Sequence, residues 1–524
     1  MPKVLIADKL SSAAVDVFRD KGVDVDVRTG LSKDELIAVI GDYDGLVVRS
    51  ATKPDADIIA AAKNLKVIGR AGIGTDNIDK VAATAKGIVV MNTPFGNAVT
   101  TAEHAIAMMF AAARQIPEAN ASTQNGKWEK SRFVGTELYG KTLGLIGCGN
   151  IGSLVAERAR GLQMHVLAYD PFLTPERAIE LGVEKAALND VLERANVISL
   201  HTPLTDQTRN ILSADALQKT REGVIIVNCA RGGLVDEAAL REGLLSGHIR
   251  AAALDVYASE PARENDLFGT PGLVATPHLG ASTREAQENV ALQVAHQISD
   301  FLLTGAVTNA LNMPSVSAEE APRLRPFIDL AEKLGLLAGQ LVTSGVKRIE
   351  VSYLGDVAGL NIKPLSSAAL AGVLRPMLGD VNLVSAPALA ADRGIVLAQT
   401  SQEQLGDYES VITISVESQN TVRTVAGALF AGQPRVIQTN DVVLDAPFST
   451  HMLFVENEDE PGFIGDLGKV LGERKVNIAT FNLGRTNQGG QAIALVGIDQ
   501  SIDSDALADV RALPHVRAAS ALQF

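Results

Sequence analysis

Along the first 310 residues, short β-branched runs alternate with helix-length segments, the pattern of wound α/β domains with parallel sheets. KVLIAD, DVDVR, DGLVVRS, LKVIGRAG and GIVVMN come first. After Pro94 a long apolar helix, TTAEHAIAMMFAAARQI, is expected, capped by Thr100 and Thr101 with Glu103 nearby. A second series runs TLGLIGCGNIG, HVLAYD, NVISLHTP, GVIIVNCARGG, AAALDVY and LVATPHLG. The amphipathic segment REAQENVALQVAHQISDFLLTG closes the region. This order predicts a domain of residues 98–284 inserted into one made of 1–97 and 285–313.

PSVSAEEAPRLRP, residues 314–326, reads as a polar linker marked by prolines. Residues 327–450 mix helical and strand patterns without an assignable motif, and we read 314–450 as one domain. The last segment, 451–524, reads strand, helix, strand, strand, helix, strand, a ferredoxin-like βαββαβ pattern. The predicted class is therefore α/β: two Rossmann-like parallel-sheet domains, an α+β domain and a small ferredoxin-like domain.

Composition narrows the function classes. With 46 % apolar and 21 % charged residues and no biased tract, the chain reads as globular and soluble. No long uncharged apolar run suggests a membrane span, and the N-terminus lacks the regions of a signal peptide. Two distant cysteines, Cys148 and Cys229, exclude a disulfide framework and point to a cytoplasmic location. A net charge of −14 disfavours nucleic-acid and anionic-membrane partners. It also requires any pocket for an anion to be locally rich in arginine and lysine. No metal site is expected.

Gly147, Gly149 and Gly152 form a GxGxxG directly after the strand LGLI and directly before the helix SLVAERARG. That context on both sides is what a dinucleotide turn demands: tight turning, close backbone approach, and pyrophosphate on the helix N-terminus. The next strand ends in Asp170. A carboxylate there accepts from both adenosine ribose hydroxyls and repels a 2′-phosphate, so NAD is the expected cofactor rather than NADP. A different set of polar residues lies just past the apolar runs: Thr202, Arg231, Asp255, Glu260 and His278. Ligands of open α/β sheets bind at those strand ends. Arg231 suits bidentate capture of a carboxylate, and His278 suits proton exchange with a hydroxyl or carbonyl oxygen. Glu260 can take the other imidazole proton.

CARGGLVDE, DVYASEP and TPHLGAST, with the GCGNIG turn, resemble the D-2-hydroxyacid dehydrogenase family over essentially all of residues 1–313. The resemblance implies hydride transfer between the substrate C2 and nicotinamide, with His278 moving the proton, Glu260 tuning it and Arg231 holding the acid. It further implies cofactor contacts at Ile73, Asn150, Ile151, Thr202, Cys229, Ala230, Arg231, Asp255 and the turn His278, Leu279, Gly280 and Ala281.

VRSATK and GRAG place Arg49, Ser50, Arg70 and Gly72 after strands of the first domain, and GKWEKSRF adds Lys127, Lys130 and Arg132. In so acidic a chain these fit a phosphorylated acid. Together with NTPFGN these motifs resemble the phosphoglycerate dehydrogenase branch more than its glyoxylate, lactate or formate relatives. That branch implies 3-phosphoglycerate as substrate, entry into serine biosynthesis, and basic residues reaching in from a neighbouring subunit of a homotetramer. HMLFVENEDEPGFIGDLGKVLGERKVNI resembles an ACT domain, which implies L-serine as an effector held by Asn457, Asp459 and Asn477 across paired domains. Residues 314–450 resemble the intervening domain of long-form members. Two weaker readings remain: a glyoxylate or hydroxypyruvate reductase, and an NAD-binding corepressor-like module.

Overall fold

The computed structural model describes residues 1–317, 319–342, 345–379, 381–403, 408–418 and 421–524. Four sheets follow one another along the chain. The first is five-stranded and parallel: β1 (Lys3–Ile6), β2 (Asp24–Val27), β3 (Gly45–Val48), β4 (Val67–Arg70) and β5 (Val89–Asn92), in the order β2-β1-β3-β4-β5. The second holds β6 (Thr142–Ile146), β7 (His165–Tyr169), β8 (Glu184–Lys185), β9 (Val197–Leu200), β10 (Val224–Asn228), β11 (Ile249–Leu254) and β12 (Leu273–Ala275). Its order, β12-β11-β10-β9-β6-β7-β8, is parallel throughout and reverses direction at β6, beside the glycine turn.

Central strands such as β3, β9 and β10 are buried at every position, as parallel strands covered on both faces must be. The long helix Arg284–Thr304 returns to the first sheet, where Val294 and Ile298 lie against Gly69; a Cβ at Gly69 would lie 2.5 Å from the Ile298 Cδ1. The helix Ala98–Arg114 instead packs on the second sheet and on the helix Asn150–Gly161. It begins earlier than the threonine cap suggested, with Asn97 preceding it. Thr101 lies inside it and donates to the Asn97 and Gly280 carbonyls, each at 2.9 Å, so its hydroxyl serves a tertiary contact.

The third sheet is mixed: β13 (Val346–Gly355), β14 (Val396–Gln402), β15 (Ser410–Ser418), β16 (Val422–Phe430), β17 (Gln433–Thr439) and β18 (Val442–Pro447), ordered β14-β13-β15-β16-β17-β18. Two helices, Ala321–Leu341 and Ile362–Leu378, pack on one another at backbone range. Gly335, Gly339 and Gly372 make this possible, since a Cβ at any of them would strike the facing main chain. The expected linker is shorter than proposed. Residues 321–326 already form the first turns of a helix, which tolerates Pro326, and Ala318 of that segment lies outside the described residues.

The fourth sheet holds β19 (His451–Glu458), β20 (Ile478–Arg485), β21 (Gln491–Ile498) and β22 (Val516–Gln523), antiparallel in the order β20-β21-β19-β22. Alternation along β19 splits its side chains. Leu453 and Val455 join the core under the domain's own helices, whereas Met452 and Phe454 join the core shared with the preceding domain. Glu456, on that second face, pairs with Arg423 of β16, and the Gln340 side chain bonds both backbone groups of Gln523. No helix among the described residues is long and apolar enough to cross a membrane.

Candidate active site

The glycine turn is built from three glycines with different duties. Gly147 adopts φ +96°, and a Cβ there would sit 2.5 Å from the His201 carbonyl oxygen. A Cβ on Gly152 would run into the Gly147 carbonyl, so the helix start can close on the strand only without a side chain. Gly149 faces open space, with nothing within 4 Å of its would-be Cβ. The first and third glycines therefore serve packing, and the second leaves room for a pyrophosphate at the N-terminus of Asn150–Gly161. Asn150 and Ile151 begin that helix. Asp170 accepts from Cys148 N at 2.8 Å with one oxygen and from Phe172 N at 2.8 Å with the other. Each oxygen keeps a further acceptor site, so Asp170 braces the turn while still able to take ribose hydroxyls.

Past the ends of β9, β10, β11 and β12 come Thr202, then Cys229, Ala230 and Arg231, then Asp255, then His278 to Ala281. These strands are neighbours, so the polar residues share one edge. Ile73 enters from the loop after β4 of the other domain, its carbonyl held by Asn92 at 2.7 Å. The Cys148 thiol is pushed up to about 11 by burial, and Cys229 is raised further for the same reason. Neither is a thiolate near neutrality.

His278 Nδ1 lies 2.7 Å from Glu260 Oε2, and Glu260 Oε1 accepts from Tyr257 N at 3.1 Å. The hydrogen bond to Glu260 holds the imidazole above its ordinary pKa despite burial. Burial raises the Glu260 carboxyl, but the bonds from His278 and Tyr257 N outweigh it and the net shift is downward. Nδ1 is committed to Glu260, which leaves Nε2 to exchange a proton with a substrate. The His278 backbone sits in the left-handed region at φ +56°, a conformation that must be held by its surroundings.

Asp255 supplies that hold. Its carboxylate is fully buried and accepts from Thr276 Oγ1 at 2.6 Å, Leu279 N at 2.7 Å and Gly280 N at 2.8 Å, while its carbonyl takes His278 N at 2.9 Å. His104 Nε2, from the helix Ala98–Arg114, stands 3.2 Å from the same carboxylate. Burial pushes the Asp255 carboxyl up; hydrogen bonds from His104, Thr276 and Leu279 N pull it below its usual value. Asp255 is thus an anion that shapes the histidine turn. His104 escaped the sequence reading because nothing in AEHAIAMM separates it from an ordinary helix residue.

The arginines meet in the cleft. Arg70 is brought down to about 10 by burial and by the cations Arg49 and Arg231. Arg70 donates from Nη1 to the Ala71 carbonyl at 2.7 Å, and Arg49 from Nη1 to the Lys9 carbonyl at 3.3 Å. Arg231 Nε bonds Asp76 Oδ2 at 2.9 Å across the two domains, and its Nη1 bonds the Ala230 carbonyl. Gly72 bonds Thr93 Oγ1 through its N–H at 2.7 Å, and Ser50 lies exposed in the turn after Arg49. Lys130 and Arg132 are not brought to this group. They sit exposed on a short helical turn, with Arg132 engaging Glu129 and the Phe133 ring.

In the last domain Asn457 is buried, with its Oδ1 lacking a partner among the described residues. Asp459 accepts from Arg485 Nη1 at 2.6 Å and Gly489 N at 3.1 Å. Asn477 lies elsewhere, donating to Asp499 at 2.6 Å. Because Asn457 pairs with Ala492 on β21, Asp499 is seven residues further along, roughly 20 Å by strand rise. One chain does not bring the three together. Among the described residues no cluster of His, Cys, Asp or Glu is set to hold a metal ion.

Comparison with known proteins agrees with this architecture. Residues 106–280 match the D-isomer specific 2-hydroxyacid dehydrogenase NAD binding domain, 323–440 the D-3-phosphoglycerate dehydrogenase intervening domain, and 451–515 the ACT domain. A D-3-phosphoglycerate dehydrogenase of Archaeoglobus fulgidus is 42 % identical, covering 98 % of each chain. That of Mycobacterium tuberculosis is 42 % identical over 96 % of each, and that of Bacillus subtilis 38 % over 98 % of each. Among solved structures, a glyoxylate reductase from Paecilomyes thermophila aligns with a TM-score of 0.56 at 31 % identity, covering 59 % of this chain and 98 % of its own. A D-lactate dehydrogenase from Escherichia coli aligns at 0.53 and 28 %, covering 59 % and 100 %. Similar in sequence along nearly its entire length, the chain belongs to the D-3-phosphoglycerate dehydrogenase family of NAD-dependent D-2-hydroxyacid dehydrogenases.

Proposed function

We propose that the protein oxidises 3-phospho-D-glycerate to 3-phosphohydroxypyruvate with NAD, supplying a serine-forming pathway. The observation that carries this reading is that Arg49, Arg70 and Arg231 are all tied to the loop after β4, Arg49 through its carbonyl, in a chain that also carries the Glu260–His278 pair. Three cations held near each other in a chain of net charge −14 call for anionic groups at both ends of a small ligand. In this reading Arg231 grips the carboxylate and Arg49 and Arg70 receive the phosphate, with Ser50 and Gly72 lining the same strand ends. The glycine turn, Asp170, Ile73, Thr202 and the 229–231 and 278–281 turns would hold NAD, which supplies the hydride acceptor when bound. His278 Nε2 takes the C2 hydroxyl proton as the hydride leaves, and Glu260 stabilises the imidazolium that results.

Lys130 and Arg132, exposed and away from the cleft, suit contact with a neighbouring subunit, and we propose a homotetramer. The ACT match and the Asn457 amide oxygen, which has no partner among the described residues, support an amino-acid effector, L-serine. Two buried free cysteines suit a cytoplasmic setting. Following NADH absorbance with 3-phospho-D-glycerate, D-glycerate and D-lactate tests the substrate. A clear preference for the phosphorylated acid is expected. Equal or better turnover of D-glycerate, or of glyoxylate and hydroxypyruvate in reverse, would replace this reading with that of an unphosphorylated hydroxyacid enzyme.

A further inference from the structure

The loop after β4 carries two adjacent polar residues, Asp76 and Asn77, that none of the sequence motifs singled out. Asp76 Oδ2 accepts from Arg231 Nε at 2.9 Å and so reaches the other domain. Asn77 turns the opposite way. Its Oδ1 accepts from Arg70 Nε at 3.3 Å, and its Nδ2 donates to the Arg49 carbonyl at 2.7 Å and the Thr52 carbonyl at 2.6 Å. One side chain therefore orients the Arg70 guanidinium and pins the turn that bears Arg49. The far side of that turn is fixed by buried Asp8, which accepts from Arg49 N at 2.5 Å and Thr52 Oγ1 at 2.7 Å. The guanidinium of Arg231 lies on Gly74, where a Cβ would strike Nη2, so Arg231 is located by the loop's backbone as well as by Asp76.

Resting on the substrate reading above, we propose that Asp76 and Asn77 are positioning residues that set the spacing between the carboxylate-binding and phosphate-binding arginines, making the loop a length gauge for a substrate anionic at both ends. The two residues are joined by one peptide, so the two anchors cannot drift independently. With Nε on Asp76 and one Nη1 hydrogen on the Ala230 carbonyl, Arg231 directs its remaining N–H groups to a ligand in a single orientation. Arg70, bonded through Nε and Nη1, keeps Nη2 for an anion in the same way. A carbon chain shorter or longer than the gauge would satisfy one cluster and leave the other unpaired.

The division of labour gives opposite signatures in steady-state kinetics of the full-length enzyme. Asp76→Asn should lower kcat/KM by a similar factor for 3-phospho-D-glycerate and D-glycerate, because both use Arg231. Asp76→Glu, which keeps the carboxylate, should recover part of the loss. Asn77→Ala should act mainly through KM and cost the phosphorylated substrate at least ten-fold more than D-glycerate, so the preference narrows. Asn77→Asp, which adds a negative charge beside the phosphate arginines, should narrow it further. NAD binding followed by fluorescence shows that each variant is folded, and Asn77→Asp carries the test if Asn77→Ala is not. A wild type without preference for the phosphorylated acid overturns the substrate reading and this inference with it. A wild-type preference that both Asn77 variants retain overturns the gauge alone.

Discussion

The catalytic cleft and the ACT tail both carry polar groups proposed to converge on a small anion or zwitterion, and one chain arranges the two sets differently. In the cleft every proposed group except Lys130 and Arg132 comes from one chain. The backbone fixes each one: strand ends, a glycine turn, and a histidine turn wrapped on buried Asp255. In the tail, Asn457 and Asp459 lie at one end of the β19–β21 ladder and Asn477 at the other. Asp459 is already occupied by Arg485 and Gly489, and Asn457 Oδ1 has no partner among the described residues. Arg231, Glu260 and His278 are therefore brought to one edge by a single chain. A tail site using all three residues has to be completed by a second copy.

The largest effects should come from breaking the complete site. His278→Ala should cut kcat by about 10²–10⁴ through loss of proton transfer, read from NADH formation. Arg231→Lys should stay severely impaired, because a point charge replaces a planar fork already aligned by Asp76. Near-wild-type kinetics in Arg231→Lys would remove Arg231 from carboxylate binding. Next, His104→Ala removes a donor from a fully buried carboxylate and should cost about 1–3 kcal/mol of stability, measured by urea unfolding. If the cleft were not preorganised by Asp255, that substitution would be silent.

Glu260→Gln should move the pH–rate profile to lower pH without abolishing substrate binding. Glu260 is the main cause of the raised His278 pKa, so losing its charge lowers that pKa. Oxidation needs neutral imidazole and rises through the pKa; reduction needs imidazolium and falls through it. Both limbs shift the same way, and an unmoved profile would leave Glu260 a structural residue. Asp170→Ala should weaken NAD several-fold and narrow the discrimination against NADP, in titrations of cofactor fluorescence. Because Asp170 also ties Cys148 N and Phe172 N, part of the loss will come from a loosened turn.

The smallest effect, and the one that sharpens the contrast, belongs to the tail. Asp459→Ala should raise the serine concentration for half-inhibition with little change in uninhibited rate. Asp459→Ala and Asn477→Ala chains, inhibited poorly on their own, should regain inhibition when assembled together, since one of the two shared sites is then intact. Failure of the mixture to recover while wild type is inhibited would show that the site is not shared in this way. A wild type indifferent to millimolar serine would leave the tail as an assembly module.

How much of this could be read from the chain depends on how local each feature is. The GxGxxG, the strand it follows and Asp170 interact within about one βαβ unit, so spacing was enough to find them. His278, Glu260 and Arg231 were legible because parallel sheets place strand ends on one edge, and neighbouring strands then bring them together. Thr101 was misread as a cap because its hydroxyl bonds Gly280, 179 positions away. Residues 321–326 were misread as linker because Pro322 and Pro326 suggest a break; Pro322 falls in the first helical turn, where proline is tolerated, and Pro326 lies inside the helix, which continues through it.

His104, Asp76 and Asn77 belong to a different class. Alone, each is an ordinary polar residue on a helix or loop, and each gains its role only from what another element places beside it. Local spacing fixed the strands, the turns and the order of the domains, because backbone hydrogen bonding and side-chain periodicity act over a few residues. Only the packing of one domain against another decided which polar groups meet, and hence that Asp76 answers Arg231, that His104 answers Asp255, and that Asn477 stands a ladder's length from Asn457.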